Sequence, residues 1–192
     1  MNILFLGPKR HKQIELVNYL KKDGHSVFRT SERFNFIDIK SFDFLISFGY
    51  RYIVNKEILD YLKGKAINFH ISYLPWNKGA DPNLWSILEN TPRGVTIHQM
   101  DYDLDTGKIL YQEEISFDED DTLKSSYEKL QTGLVKLFKE NWEDIKNNRA
   151  IPKKQKGKGS YHKSSDKNSY QKLLTNGWDT KIMDLMGKAI ND

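Results

Sequence analysis

Asn68, His70 and Asp105 are the residues whose types and spacing invite a chemical reading. Asn68 and His70 stand two apart in AINFHIS, so in an extended strand their side chains leave the backbone on the same face and can meet one ligand. Leu74-Pro75 stiffens the loop behind them, and Gly79 permits a turn where a ligand can approach the backbone closely. Asp105 lies in LDTGK, where Asp and Gly also spell an ordinary turn. An imidazole backed by a carboxylate is a pairing that acid–base chemistry uses, and His70 is the residue that would call for such a carboxylate. Taken singly, each residue has a plainer explanation: Asn68 and His70 as the polar end of a strand, and Asp101, Asp103 and Asp105 as turn formers. At this level both readings stand.

Other chemistries find less in the sequence. The chain has no cysteine, which removes disulfides, thiolate metal sites and a cysteine nucleophile. A Gly-x-Ser-x-Gly elbow is absent, and Ser72 is too near His70 in sequence for the usual nucleophile–base geometry. His70, His98 and Asp105 lack any spacing familiar from zinc sites, so no metal is expected. Gly7-Pro8 does not carry the G-x-G-x-x-G pattern of dinucleotide binding. His98, on an alternating stretch, reads as a hydrogen-bonded core or rim residue. His162, beside Tyr161, reads as part of a solvated loop or as an anion contact.

These residues need a frame to hold them. NILFL (2–6) is a strand ended by Gly7-Pro8, and Ile14, Val17 and Leu20 recur at helical spacing until Asp23-Gly24. HSVFR (25–29) and FDFLISF (42–48) are further strands, the second apolar enough to be buried on both faces. Asn55 caps a short helix through Leu62, AINFH (66–70) is a fourth strand, and Asp81-Pro82 starts a helix through NLWSILEN. GVTIHQM (94–100) and KILYQEEI (108–115) pair as an antiparallel hairpin. Asp121 caps a long helix whose apolar face runs Leu123, Tyr127, Leu130, Leu134, Leu137, Phe138, Trp142 and Ile145. Alternating strands and helices predict an α/β protein: a Rossmann-like open, mostly parallel sheet with helices on both faces and ligands at the carboxyl ends of the strands. Residues 1–148 form one domain. Residues 149–192, basic and rich in Gly and Ser, are an extension with a terminal helix from about Thr180.

The bulk properties set outer limits. A chain of 192 residues, 38% hydrophobic and 29% charged, suits one globular domain with a real core. No apolar run approaches the roughly 18 residues that span a bilayer. MNILFLGPKRHK places its apolar segment before its charges, the reverse of a secretory signal, and a cytoplasmic setting is expected. The net charge of +4 leans mildly toward anionic partners.

Taken together, N-x-H-x-S-x-L-P at 68–75, GADPNLWSI at 79–87, and GVTIH followed by DLDTGKILYQ within 94–112 resemble the folate-dependent formyltransferase family. That family includes glycinamide ribonucleotide transformylase, methionyl-tRNA formyltransferase and the N-formyltransferases of nucleotide-linked amino sugars. The resemblance covers about residues 2–147 and implies that Asn68, His70 and Asp105 are the catalytic Asn, His and Asp. It implies N10-formyltetrahydrofolate as co-substrate. The pterin would lie against Phe48, Gly49, Tyr50, Arg51 and Ile53 and against Asp101, Tyr102 and Asp103. In such a reaction an amine attacks the formyl carbon, and negative charge gathers on the formyl oxygen while the attacking nitrogen becomes cationic. Asn68 would donate to the oxyanion, a protonated His70 would add a second donor, and Asp105 would orient His70 or take the amine proton.

The amine substrate is approached by elimination. The tRNA enzyme carries an extra RNA-binding domain for which residues 150–192 are too few, and GPKRHKQI departs from the Gly-Ser-Asn-Leu loop of the purine enzyme. The resemblance then leaves a nucleotide-linked amino deoxysugar, of the kind made for lipopolysaccharide, bound over Pro75, Trp76, Asn77, Lys78, Gly79 and Trp85 with Tyr161 and His162 assisting. On this reading the partners are small molecules rather than membrane or nucleic acid, and a homodimer is compatible with it. The alternative activities are formylation of glycinamide ribonucleotide or methionyl-tRNA. The alternative of another class is a non-enzymatic module binding RNA or another anion through its basic tail.

Overall fold

The computed structural model describes residues 1–34 and 36–189. Its main sheet has six strands: β1 (Asn2–Leu6), β2 (Ser26–Thr30), β3 (Phe44–Phe48), β4 (Ala66–His70), and β6 (Gly94–Gln99) with β7 (Ile109–Glu114) beyond a short β5 (Lys78–Gly79). Their order is β2-β1-β3-β4-β6-β7. The first four are parallel, and β6 and β7 run antiparallel to their neighbours.

Strand periodicity divides the core between two faces. Ile3 and Phe5 of β1, Phe44, Ile46 and Phe48 of β3, and Ile67 and Phe69 of β4 meet α1 (His11–Lys22) and α4 (Leu123–Lys146) on one side. Leu4, Leu6, Leu45 and Ala66 meet α2 (Lys56–Leu62) and Ile39 of a 3-10 turn on the other. Trp142 of α4 is fully buried, edge-on to Phe44 and to His25, with its indole N–H donated to Asp23 at 2.9 Å. Because Ile67 and Phe69 point to the α4 side, Asn68 and His70 must share the opposite face of β4.

Several expectations shift. The long helix is capped by Thr122: its Oγ1 accepts from the Ser125 amide at 3.2 Å, and Ser125 Oγ accepts from the Thr122 amide at 2.9 Å. Asp121 instead accepts from Ser125 Oγ and Lys129 Nζ. The reciprocal Thr–Ser bonds satisfy two free amides at once, which the single Asp cap would not. Asn55 and Asp81 stand at N-cap positions without making side-chain cap bonds, and Asp81 pairs with Lys167 at 2.9 Å. The expected terminal helix from Thr180 is a 3-10 turn, Ile182–Asp184, and residues 190–192 lie outside the described residues. Ile182 and Leu185 of this segment are buried against Leu84, Ile87 and Leu88 of α3 (Pro82–Leu88), so packing rather than helical periodicity decides its course. One strand pairing escapes sequence reading: β8 (Tyr161–His162) lies parallel to β5, bringing the basic segment back against the loop after β4.

Candidate active site

The reversal at β6 assembles the site. Asn68 of β4 lies opposite His98 of β6, and His70 lies opposite Thr96. Residues this close across an antiparallel pair present their side chains together. The chain then leaves β6 and returns as β7, and within that connection Asp105 adopts φ 56. Asp and Asn tolerate this left-handed backbone better than most residues, and here it turns the carboxylate under the pair.

Each oxygen of that carboxylate is engaged. Oδ1 accepts from Asn68 Nδ2 at 3.1 Å and lies 3.4 Å from His98 Nε2; Oδ2 accepts from the Gly79 amide at 2.9 Å and lies 3.5 Å from His70 Nδ1. Burial by itself would raise the Asp105 carboxyl, but the facing imidazole of His70 when it carries charge, the neighbouring His98 and the Gly79 amide outweigh it and hold it well below the usual carboxylate range. Asp105 is therefore a fixed anion at neutral pH.

Two carbonyls set the imidazoles. His70 Nε2 lies 2.9 Å from the Asn77 carbonyl, and His98 Nδ1 lies 2.7 Å from that of Gln99, so each of these nitrogens carries a hydrogen. His98 Nε2 can then accept from Asn68 Nδ2, 3.2 Å away. Both amide hydrogens of Asn68 are directed at partners inside the cluster.

A cavity of about 760 Å³ opens on this cluster, with Asn68, His70, His98 and Asp105 on its wall. Phe48, Gly49, Tyr50, Arg51, Ile53, Asp101, Tyr102 and Asp103 line it as well. Tyr50 is fixed by hydrogen bonds to the Glu32 carbonyl at 2.8 Å and from the Phe34 amide at 3.1 Å, and Tyr102 carries Lys56 over its ring. A second cavity of about 870 Å³ adjoins it across Tyr52, Ile71, Tyr127 and Lys167, and reaches Gly7, Arg10, Gln13, Asn83 and Trp178. Gln13 Oε1 and Asn83 Oδ1 are buried there without a hydrogen-bond partner.

The expected substrate loop is placed differently. Gly79 lines the first cavity, whereas Pro75, Trp76, Asn77, Lys78, Trp85, Tyr161 and His162 line neither. Asn77 is fully buried at φ 55; its side chain bonds Glu89 and Thr91, and its carbonyl serves His70. Trp85 is a core residue stacked on His162 at 3.8 Å. His98 is the hydrogen-bonded, buried histidine that its strand predicts, and Tyr127, expected on the apolar face of α4, also lines the cavities; Gln13 and Gln131 are lining residues without a sequence expectation. Gln131, a buried amide within the apolar stripe of α4, was the visible signal. Among the described residues no three or more His, Cys, Asp or Glu side chains gather to hold a metal ion, and no helix is long and apolar enough to cross a membrane.

Comparison with known proteins gives a consistent pattern. The family model described as formyl transferase matches residues 14–141. The formyltransferase PseJ from Anoxybacillus kamchatkensis, solved in complex with UDP-4,6-dideoxy-4-formamido-L-AltNAc and tetrahydrofolate, is 46% identical with a TM-score of 0.94, covering 98% of this chain and 100% of that one. An N-formyltransferase from Helicobacter canadensis, in complex with folinic acid and dTDP-3-aminofucose, shares the fold at 23% identity and a TM-score of 0.76, covering 98% of this chain and 80% of that one. A methionyl-tRNA formyltransferase from Prochlorococcus marinus subsp. pastoris is 38% identical over 138 residues, which is 68% of this chain and 42% of that protein. The chain thus spans about two fifths of the length of the curated relatives it matches.

Proposed function

The chain belongs to the formyl transferase family, and from that premise we propose that it moves the formyl group of N10-formyltetrahydrofolate to the primary amine of a nucleotide-linked amino deoxysugar, with a UDP-linked 4-amino sugar as the first candidate. The observation that carries this reading is the end-to-end match to a formyltransferase holding a UDP-linked 4-formamido sugar and tetrahydrofolate. The partial match to the tRNA enzymes is shorter and less identical.

Two adjoining cavities suit two substrates. The one lined by the cluster takes the formyl folate, its pterin between the Phe48–Ile53 stretch and the Asp101–Asp105 loop. The other takes the sugar nucleotide. Arg10 and Lys167 offer charge to its phosphates, Trp178, edge-on to Tyr127, offers a ring to its base, and Gln13 Oε1 and Asn83 Oδ1 accept hydrogen bonds from sugar N–H or O–H groups.

The amine lone pair forms a bond to the formyl carbon, the C–N10 bond breaks, and the proton lost by the amine is balanced by the one gained at N10. His70 Nδ1, with Nε2 held on the Asn77 carbonyl, faces Asp105 and takes that proton, and the carboxylate stabilises the imidazolium that forms. Asn68 reaches the oxyanion by giving up one of its two internal bonds. The test is to incubate the protein with N10-formyltetrahydrofolate and UDP-linked 4-amino, dTDP-linked 3-amino and dTDP-linked 4-amino sugars, glycinamide ribonucleotide and charged methionyl-tRNA, following tetrahydrofolate release. Turnover with a sugar nucleotide is expected. Turnover with methionyl-tRNA alone, or with none of them, overturns the proposal.

A further inference from the structure

The extension after α4 is basic in sequence, yet its lysines are not what it brings to the site. Lys153, Lys154, Lys156 and Lys158 are exposed, whereas Gln155 among them and Gly159, Ser160 and His162 after them are half-buried. Lys153 exchanges two backbone hydrogen bonds of 2.8 Å with Ile109, just past the Asp105 turn. Gln155 Nε2 then donates to the carbonyl of Asp105 at 2.7 Å and to that of Gly107 at 2.9 Å. The same amide group thus pins the carbonyl of the left-handed residue, φ 56, that carries the carboxylate, together with that of Gly107 two residues on.

Further along, the segment holds the partner of His70. Gly159 passes so close to Pro75 that a Cβ there would stand 2.0 Å from its carbonyl oxygen. Ser160 Oγ accepts from the Asn77 amide at 2.9 Å, and its carbonyl accepts from the Lys78 amide at 3.0 Å. His162 pairs with Gly79, whose amide reaches Asp105. One stretch of ten residues therefore touches the Asp105 turn, the carbonyl-bearing Asn77 and the donor-bearing Gly79, without itself lining the catalytic cavity.

We propose that residues 153–162 are a strap that sets the spacing of Asp105 and His70, and that Gln155 is the positioning residue through which it fixes Asp105. Only the kinetic arm of the test rests on the formyl-transfer reading. Gln155→Met keeps the side-chain volume and removes both donors. With the amine that the native protein formylates, kcat is expected to fall about ten- to hundredfold, as small misplacements of reacting groups do, while KM for folate and for amine stays within about twofold. Deuterium uptake by residues 103–107 is expected to rise, with β1 and β3 unchanged. Gln155→Glu, of the same shape but turning an acceptor toward two carbonyls, is expected to lose at least as much and to recover part of it as pH falls and the new carboxyl gains a donor proton. A kcat within twofold of native in Gln155→Met, a loss confined to KM, or unaltered uptake at 103–107 overturns the strap. If the native protein formylates no amine, the functional reading has failed, and the exchange measurement still decides the strap.

Discussion

The backbone amide of Gly79 donates to Oδ2 of Asp105 at 2.9 Å, which joins the loop after β4 to the loop after β6 across the floor of the site. His70 bridges the same gap, with one nitrogen on the Asn77 carbonyl and the other facing Asp105. The carboxylate is therefore a junction of two loops as well as the counter-charge of an imidazole.

Asp105→Asn separates these roles. The amide keeps the size of the side chain but removes the charge facing His70 and places donors where donors already point. Formyl transfer is expected to slow by roughly 10²- to 10⁴-fold in kcat, the range of a lost acid–base partner, with KM for folate changed far less. Steady-state kinetics in both substrates checks this, and comparable loss in KM alone would contradict it.

The same residue makes a prediction about acid stability. Its folded carboxyl is held below the ordinary value of 3.8, so the unfolded chain binds the proton more readily. Stability from this group is therefore fully present above a pH of about 4 and is lost as pH falls through and below that value. Urea midpoints of native protein and Asp105→Asn, measured between about pH 3 and pH 7, should differ most at neutral pH and converge on acidification.

Asn68→Ala removes the donor proposed for the oxyanion and leaves Asp105 Oδ1 and His98 Nε2 one partner short. The expected loss is about 2.7 to 4 kcal/mol of transition-state stabilisation, or 10²- to 10³-fold in kcat, with tetrahydrofolate binding retained. Near-native turnover would remove Asn68 from the mechanism.

Gln13→Leu tests the second cavity. Gln13 Oε1 is buried without a protein partner, and Nε2 reaches the Phe48 carbonyl only at 3.5 Å, so the substitution removes one long hydrogen bond from the protein and the Oε1 acceptor from the complex. KM for the sugar nucleotide is expected to rise about three- to tenfold, in keeping with roughly 0.5 to 1.5 kcal/mol, and KM for folate to stay put. An increase in the folate KM instead would reverse the assignment of the cavities.

Gly159→Ala addresses stability. Its φ of 63 and the 2.0 Å approach to the Pro75 carbonyl both forbid a side chain without movement. A cost of about 1 to 3 kcal/mol is expected. For a chain of this size that is a fall in Tm of about 3 to 9 °C, readable by calorimetry.

How much of this the sequence disclosed depended on the range of the interaction. Asn68 and His70 were legible because strand geometry alone puts i and i+2 on one face, and the buried strands declared themselves by continuous apolar runs. Asp105 needed a partner 35 residues away and became visible through the family resemblance of several motifs together. His98 was set aside because a histidine on an alternating strand is ordinarily a satisfied core residue, and only the register opposite Asn68 shows what satisfies it. The loop from Pro75 to Trp85 reads in sequence as a surface over which substrate lies, but Asn77 and Trp85 face inward, because Glu89 and Thr91 just past α3 bond Asn77 and His162, far along the chain, stacks on Trp85. A two-residue strand such as β8 carries no periodicity, so the docking of the basic segment had no local signature.

The pairing of β5 with β8 leaves the core and the site resting on different stretches of chain. The large sheet and its covering helix are complete within Asn2–Lys146, whereas Gln155, Ser160 and His162, which contact the Asp105 turn, Asn77 and Gly79, come after it. A substitution between Lys153 and His162 can therefore reach the catalytic geometry without altering any residue of that sheet.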